Sequence, residues 1–211
     1  MAYQTDIDLI TKHIEKNMGK IGSIFHGVGS DELHLDICHI KSGLLRRYET
    51  LVTVGMSAEP MHVPQLSNEP VYAELIILLP KGWPLKTHHL SERSNCWPIH
   101  LLKSLALYPH TSHQNLGYGS IITNGNSQSP EPYSDHHPFC ASILLPSVTL
   151  KEKSFILKRK GQRPIYFFTV VPLLKNEWLY TRKHGNETLI EQLNKQHISD
   201  IVNLQRDSVI C

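Results

Sequence analysis

The stretch VYAELIILLP, residues 71–80, decides the fold. It is apolar almost without interruption and is bounded by Pro70 and Pro80. A strand that faces water on one side alternates apolar and polar residues, whereas one covered on both sides reads as a continuous apolar run. Residues 71–79 are therefore expected to form the central strand of a sheet with layers packed on both faces.

Upstream, Leu33, Leu35 and Ile37 alternate with His34, Asp36 and Cys38, the pattern of a half-buried strand. Lys41-Ser42-Gly43 turns the chain, and the β-branched run from Tyr48 to Met56 completes an antiparallel hairpin. The first helix is capped by Thr5, with Asp8 three residues on, and places Ile7, Ile10, Ile14 and Met18 on one face. Gly19 and Gly22 end it. Residues 59–70 carry three prolines and read as a loop.

Downstream, Pro98 suits a helix first turn, and Ile99, Leu102, Leu105 and Ala106 follow at helical spacing until Pro109. Thr111 to Tyr133 reads as a long loop rich in glycine and proline. Phe139 to Leu145 is a strand ended by Pro146. Residues 154–157 and 164–171 flank the basic tip Lys158-Arg159-Lys160-Gly161-Gln162-Arg163, giving a hairpin that Pro172 ends. Asn186 caps a last helix that keeps apolar spacing to Leu204. About three helices and six strands result, in an order that is neither βαβ alternation nor all-β. The expected fold class is α+β, a mixed sheet flanked by helices, in one domain over residues 1–211.

Composition agrees. The 211 residues are 40% hydrophobic and 19% charged, enough for a full core without staples and far from disorder or coiled coil. Lysine and arginine total 21 against 19 acidic residues, a net charge of +2 that does not demand a nucleic acid. The longest apolar run is strand length, and the amphipathic N-terminus is unlike a signal peptide. Cys38, Cys96, Cys140 and Cys211 lie far apart, without the spacing of a disulfide framework or zinc site. Buried, reduced cysteines are the expectation, and with them a cytoplasmic location.

Chemistry-bearing patterns are incomplete. His34 and Asp36 share a strand face, but that strand supplies no nucleophile. Glu74 is a lone carboxylate, read as a capped or salt-bridged strand end. The fourteen histidines include His88-His89, His110, His113 and His136-His137, which could ligate zinc, though no spacing matches a closed site. Residues 116–119 lack a phosphate-loop pattern and precede Ile121 rather than a helix. The basic hairpin could meet phosphates, or simply guard an edge. Neither enzyme, metal nor cofactor is expected; a metal-dependent hydrolase and a nucleic-acid-associated regulator stand as alternatives.

Six phrases in register carry a resemblance: LHLDI (33–37), TLVTVGMS (50–57), YAELIILLP (72–80), WP (83–84), WPIHLLKSLALYPH (97–110) and LGYGSIITNG (116–125), with IYFFTVVPLLKNEWLYTRKHG (165–185) closing the pattern. In this order they resemble the suppressor of fused domain family, as found in single-domain bacterial proteins, over about residues 30–190. The resemblance implies an α/β sandwich without catalytic activity. Animal members bind a transcription factor, holding a short peptide between two lobes partly by adding a strand; the second lobe is not expected here. Bacterial members look like immunity proteins for polymorphic toxins, often nucleases. The implied partner is a protein, a toxin domain, with no specific nucleic acid and no membrane. Inhibitors of basic nucleases are often acidic, and this chain has a pI near 8.3. Either the toxin is not strongly basic or a local acidic patch does the work. The partner surface is expected on the loop from His110 to Tyr133 and the nearby tryptophans: Trp83, Trp97, His110, His113, Gly117, Tyr118, Gly119 and Asn124. Aromatic side chains anchor interfaces at little entropic cost.

Overall fold

A computed structural model describes residues 2–27, 34–44, 46–61, 71–85, 93–112 and 114–210. Its organising element is the strand β4, Tyr72–Pro80, whose residues 73–79 are all buried. The alternation of a strand sends Leu75, Ile77 and Leu79 to one face and Ile76 and Leu78 to the other, each into its own apolar cluster.

Among the described residues the strands form one mixed sheet in the order β1-β2-β3-β4-β8-β6-β5, with β7 also pairing β8. The elements are β1 (Ser23–His26), β2 (Asp36–Ile40), β3 (Tyr48–Val54), β5 (Ile121–Thr123), β6 (Phe139–Leu145), β7 (Ile156–Leu157) and β8 (Ile165–Leu174). Only the β4–β8 pair is parallel; the hairpins β2–β3 and β7–β8 are antiparallel, as the alternation patterns require. The sheet is covered on both faces. Helix α2 (Arg93–Ser112) lies on the Leu75–Ile77 face, burying Leu101, Leu102, Leu105 and Ala106. Helix α1 (Ala2–Asn17) covers the Ile76 face through Ile10 and Ile14. Helices α3 (Lys175–His184) and α4 (Asn186–Lys195) extend that layer over β6 and β8 through Trp178, Leu189 and Leu193. The expected α+β sandwich with β4 in its middle is what the chain forms.

Several sequence expectations need correction. Helix α1 already includes Thr5, so Thr5 is not its cap. Helix α2 begins at Arg93 and passes through both Pro98 and Pro109, because its buried face continues across them. Strand β8 likewise continues past Pro172. The Pro172 carbonyl accepts a hydrogen bond from Arg206 Nη2 at 2.9 Å, so the imide nitrogen faces that same edge, where β4 has stopped pairing after Thr169. No ladder donor is lost there. Helix α3 and strands β1 and β5 were not anticipated. The final helix ends at Lys195, nine residues short of Leu204. Leu33, residues 62–70, His88, His89, His113 and Cys211 lie outside the described residues.

Glu74 shows how the strands are tied. Fully buried, it accepts hydrogen bonds from Thr53 Oγ1 (2.6 Å), Ser57 Oγ (2.6 Å) and the backbone N–H groups of Gly55 and Ser57 (both 3.1 Å). Glu74, expected to be a capped or salt-bridged strand end, thus lies inside β4 and is held by hydrogen bonds. Burial pushes its carboxyl above the usual range, opposed by these four donors. Gly55 is required here: its φ is +115°, and a Cβ would sit 2.2 Å from the His34 carbonyl oxygen.

Candidate functional site

One concavity lies between α2 and the sheet edge formed by β5. It is a cleft of about 720 Å³. One wall is the α2 stripe Trp97, His100, Leu101, Ser104, Leu105 and Tyr108, whose spacing puts them on one helical face. The opposite wall is Ile122 to Gly125 and Glu131 to Asp135.

The sequence folds this way for identifiable reasons. Gly119 N–H donates to Leu144 O (2.8 Å) and Leu144 N–H to Ser120 O (3.0 Å), which zips the chain onto β6. Asn124 N–H donates to Cys140 O at 2.8 Å, closing the same ladder. By two-residue alternation, Ser120 and Ile122 point their backbone groups at β6, Asn124 directs its N–H there while its carbonyl accepts from Glu131 N–H (3.1 Å), and Ile121 and Thr123 point theirs outward. The β5 edge therefore presents unpaired backbone groups beside the cleft among the described residues, a template for an added strand. The Asn124 amide donates to the carbonyls of Glu131 (3.0 Å) and Pro132 (3.1 Å), folding the 124–132 loop back as the outer wall.

The floor at one end is aromatic. Trp97 stacks on Tyr133, with centroids 5.5 Å apart and planes at 8°, and Trp83 meets Trp97 edge-on at 6.1 Å. Burial pushes the Tyr133 phenol up, so it is neutral in the working range. The lining contains two carboxylates, Glu131 and Asp135, both exposed, and neither lysine nor arginine.

The anticipated residues divide. Trp97 and Asn124 line the cleft, and Trp83 is joined to it through Trp97. Trp97 is 2% exposed, so its indole is chiefly core. Gly117, Tyr118 and Gly119 form the turn entering β5, on the same sheet edge but outside the cleft lining; Tyr118 is 60% exposed. His110 sits in the last turns of α2, and His113 lies outside the described residues. Sequence reasoning missed His100, Ser104 and Tyr108, although their i, i+4, i+8 spacing on an apolar helix was a usable signal. It also missed Glu131 and Asp135, which only the fold brings opposite α2.

Other titratable groups serve the scaffold. Asp36 accepts from His26 Nδ1 at 3.0 Å and lies 3.8 Å from His34 Nε2. Burial opposes ionisation of Glu49, but hydrogen bonds from Ser42, His39 and Gly82 outweigh it and hold its carboxyl below the usual range. Burial, with Asp36, Glu74 and Glu15 nearby, pushes the Cys38 thiol up to about 12, which removes its nucleophilicity. Among the described residues no three histidines, cysteines or carboxylates gather to hold a metal. No described helix is long and apolar enough to cross a membrane. At the basic hairpin, Arg159 turns back to pair with Asp6 (3.2 Å) and covers the Tyr72 ring (4.6 Å), so it is not a free tip cation.

Comparison with known proteins agrees with this architecture. The family model for suppressor of fused protein matches residues 31–207. No curated protein matches the chain by sequence. A structure assigned as a suppressor of fused homolog from Neisseria gonorrhoeae FA 1090 aligns with a TM-score of 0.71 at 15% identity, over 99% of this chain and 98% of that one. The Sufu-Fu complex aligns with a TM-score of 0.63 at 15% identity, over 98% and 91%. Drosophila Suppressor of Fused aligns with a TM-score of 0.62 at 14% identity, over 96% of this chain and 50% of that one. Identities this low establish a shared fold.

Proposed function

The chain belongs to the suppressor of fused family, and we propose that it is a non-enzymatic binding protein that works as a cytoplasmic immunity protein, neutralising a polymorphic toxin by direct contact. The observation that carries this reading is the α2–β5 cleft. It combines an open strand edge, an aromatic floor and polar side chains, the parts that hold an extended protein segment by main-chain hydrogen bonds and side-chain pockets. The Sufu-Fu structure is, by its name, a complex of a protein of this fold. The buried carboxylates Glu49, Glu74 and Glu177 are committed to hydrogen bonds that hold the fold, which supports a scaffold role over a catalytic one.

The acidic lining supplies what the balanced net charge does not. Glu131 and Asp135 give the cleft a local negative field toward a basic toxin surface, and such complementarity raises association rate and selects partners. Tyr118, exposed on the same edge, is proposed to anchor the partner beside the cleft.

Co-expression with candidate polymorphic toxin domains tests the reading. The wild-type chain should restore growth and bind the toxin domain. Tyr118→Ala should leave the melting temperature unchanged and weaken binding by about 1 kcal/mol or more. Loss of stability with binding intact would make Tyr118 a packing residue and remove the edge from the partner surface.

A further inference from the structure

A second concavity, about 730 Å³, lies on the opposite face of the sheet, between α1 and residues 152–158. Its chemistry is the reverse of the cleft's. Four lysines line it, Lys12 and Lys16 one turn apart on α1 and Lys153 and Lys158 on the facing segment, against the single carboxylate of Glu152. All four are exposed, and no salt bridge among the described residues involves any of them. The apolar lining comes from Leu9, which is 38% exposed, with Ile156 and Leu157. His13 lies at the base. Its Nε2 lies 3.1 Å from the Ser154 carbonyl, its ring stacks on Phe167, and burial lowers its basicity.

The geometry points to this groove as a docking site for an acidic amphipathic segment of a protein partner, separate from the partner proposed for the α2–β5 cleft. Carboxylates of such a segment neutralise unpaired lysines, and its apolar face covers Leu9 and Leu157. The lining disfavours a nucleic acid, because it holds no phenylalanine, tyrosine or tryptophan for base stacking and no arginine for bidentate phosphate contact. Its concave shape disfavours a membrane, which needs protruding apolar side chains.

Amide chemical-shift mapping on the full chain tests this with three probes. They are a helical peptide with leucines on one face and glutamates on the other, a single-stranded oligonucleotide, and vesicles containing phosphatidylserine. The peptide should shift amides of residues 9–17 and 152–158, and added salt should weaken it. K12E/K16E, both exposed and therefore compatible with folding, should keep the wild-type melting temperature and weaken the peptide by about tenfold. The same peptide with glutamine for glutamate should not bind. No shift at the groove, equal binding by the double variant, or stronger binding of the oligonucleotide or vesicles there would overturn the assignment.

Discussion

Ile76→Asp should abolish folding. Ile76 is fully buried in the middle of β4, paired across to Val52 on one side and Thr169 on the other, with α1 above it. Losing the aliphatic side chain from such a site costs about 2–5 kcal/mol. The carboxylate adds the penalty of a buried polar group with no donor to meet it. Together these approach the whole stability of an ordinary domain, roughly 5–15 kcal/mol. Circular dichroism and urea denaturation should find little native protein, whereas Ile76→Val should cost only about 0.5–1.5 kcal/mol. A folded Ile76→Asp variant with a wild-type midpoint would mean that β4 is not the buried centre.

Glu177→Ala should be nearly as damaging, for an electrostatic reason. Glu177 has no exposed surface and takes Arg206 Nη2 at 2.6 Å, Leu174 N–H at 2.8 Å and Val209 N–H at 3.2 Å. It thereby starts α3 and fastens the C-terminal segment to the sheet in one contact. Removing it strands two amides and a guanidinium that is 8% exposed beside Phe139. Breaking one side of a buried pair typically costs about 3–5 kcal/mol. Replacing both partners by methionine should recover much of that, because no unpaired charge remains. A loss below about 1 kcal/mol for Glu177→Ala, the range of surface pairs, would show that the pair is solvated in solution.

What the sequence disclosed follows from burial. Strand β4 was legible because both faces are covered, and α1 because Ile10, Ile14 and Met18 make one buried stripe. Strand β1 was not, since Ser23, Ile24 and His26 are exposed and leave no alternation. Helix α3 starts directly after Leu174 with no turn residue, and Pro172 imitates a stop that the free strand edge makes unnecessary. The false extension of α4 has a sharper cause. Ile198, Ile201 and Leu204 keep helical spacing, yet each packs into a different apolar cluster as an irregular segment crosses the sheet end. The α2 wall of the cleft was readable as a stripe. The opposing carboxylates were not, because topology rather than spacing brings residues 131–135 to α2.

Hydrogen–deuterium exchange of the protein, alone and with a toxin domain that it neutralises in co-expression, tests the central claim most directly. The α2–β5 reading predicts that protection appears in residues 97–108 and 117–135, with the β5 amides slowed as an added strand would slow them. Protection confined to other faces, or no protection at toxin concentrations that saturate wild-type neutralisation, would contradict it.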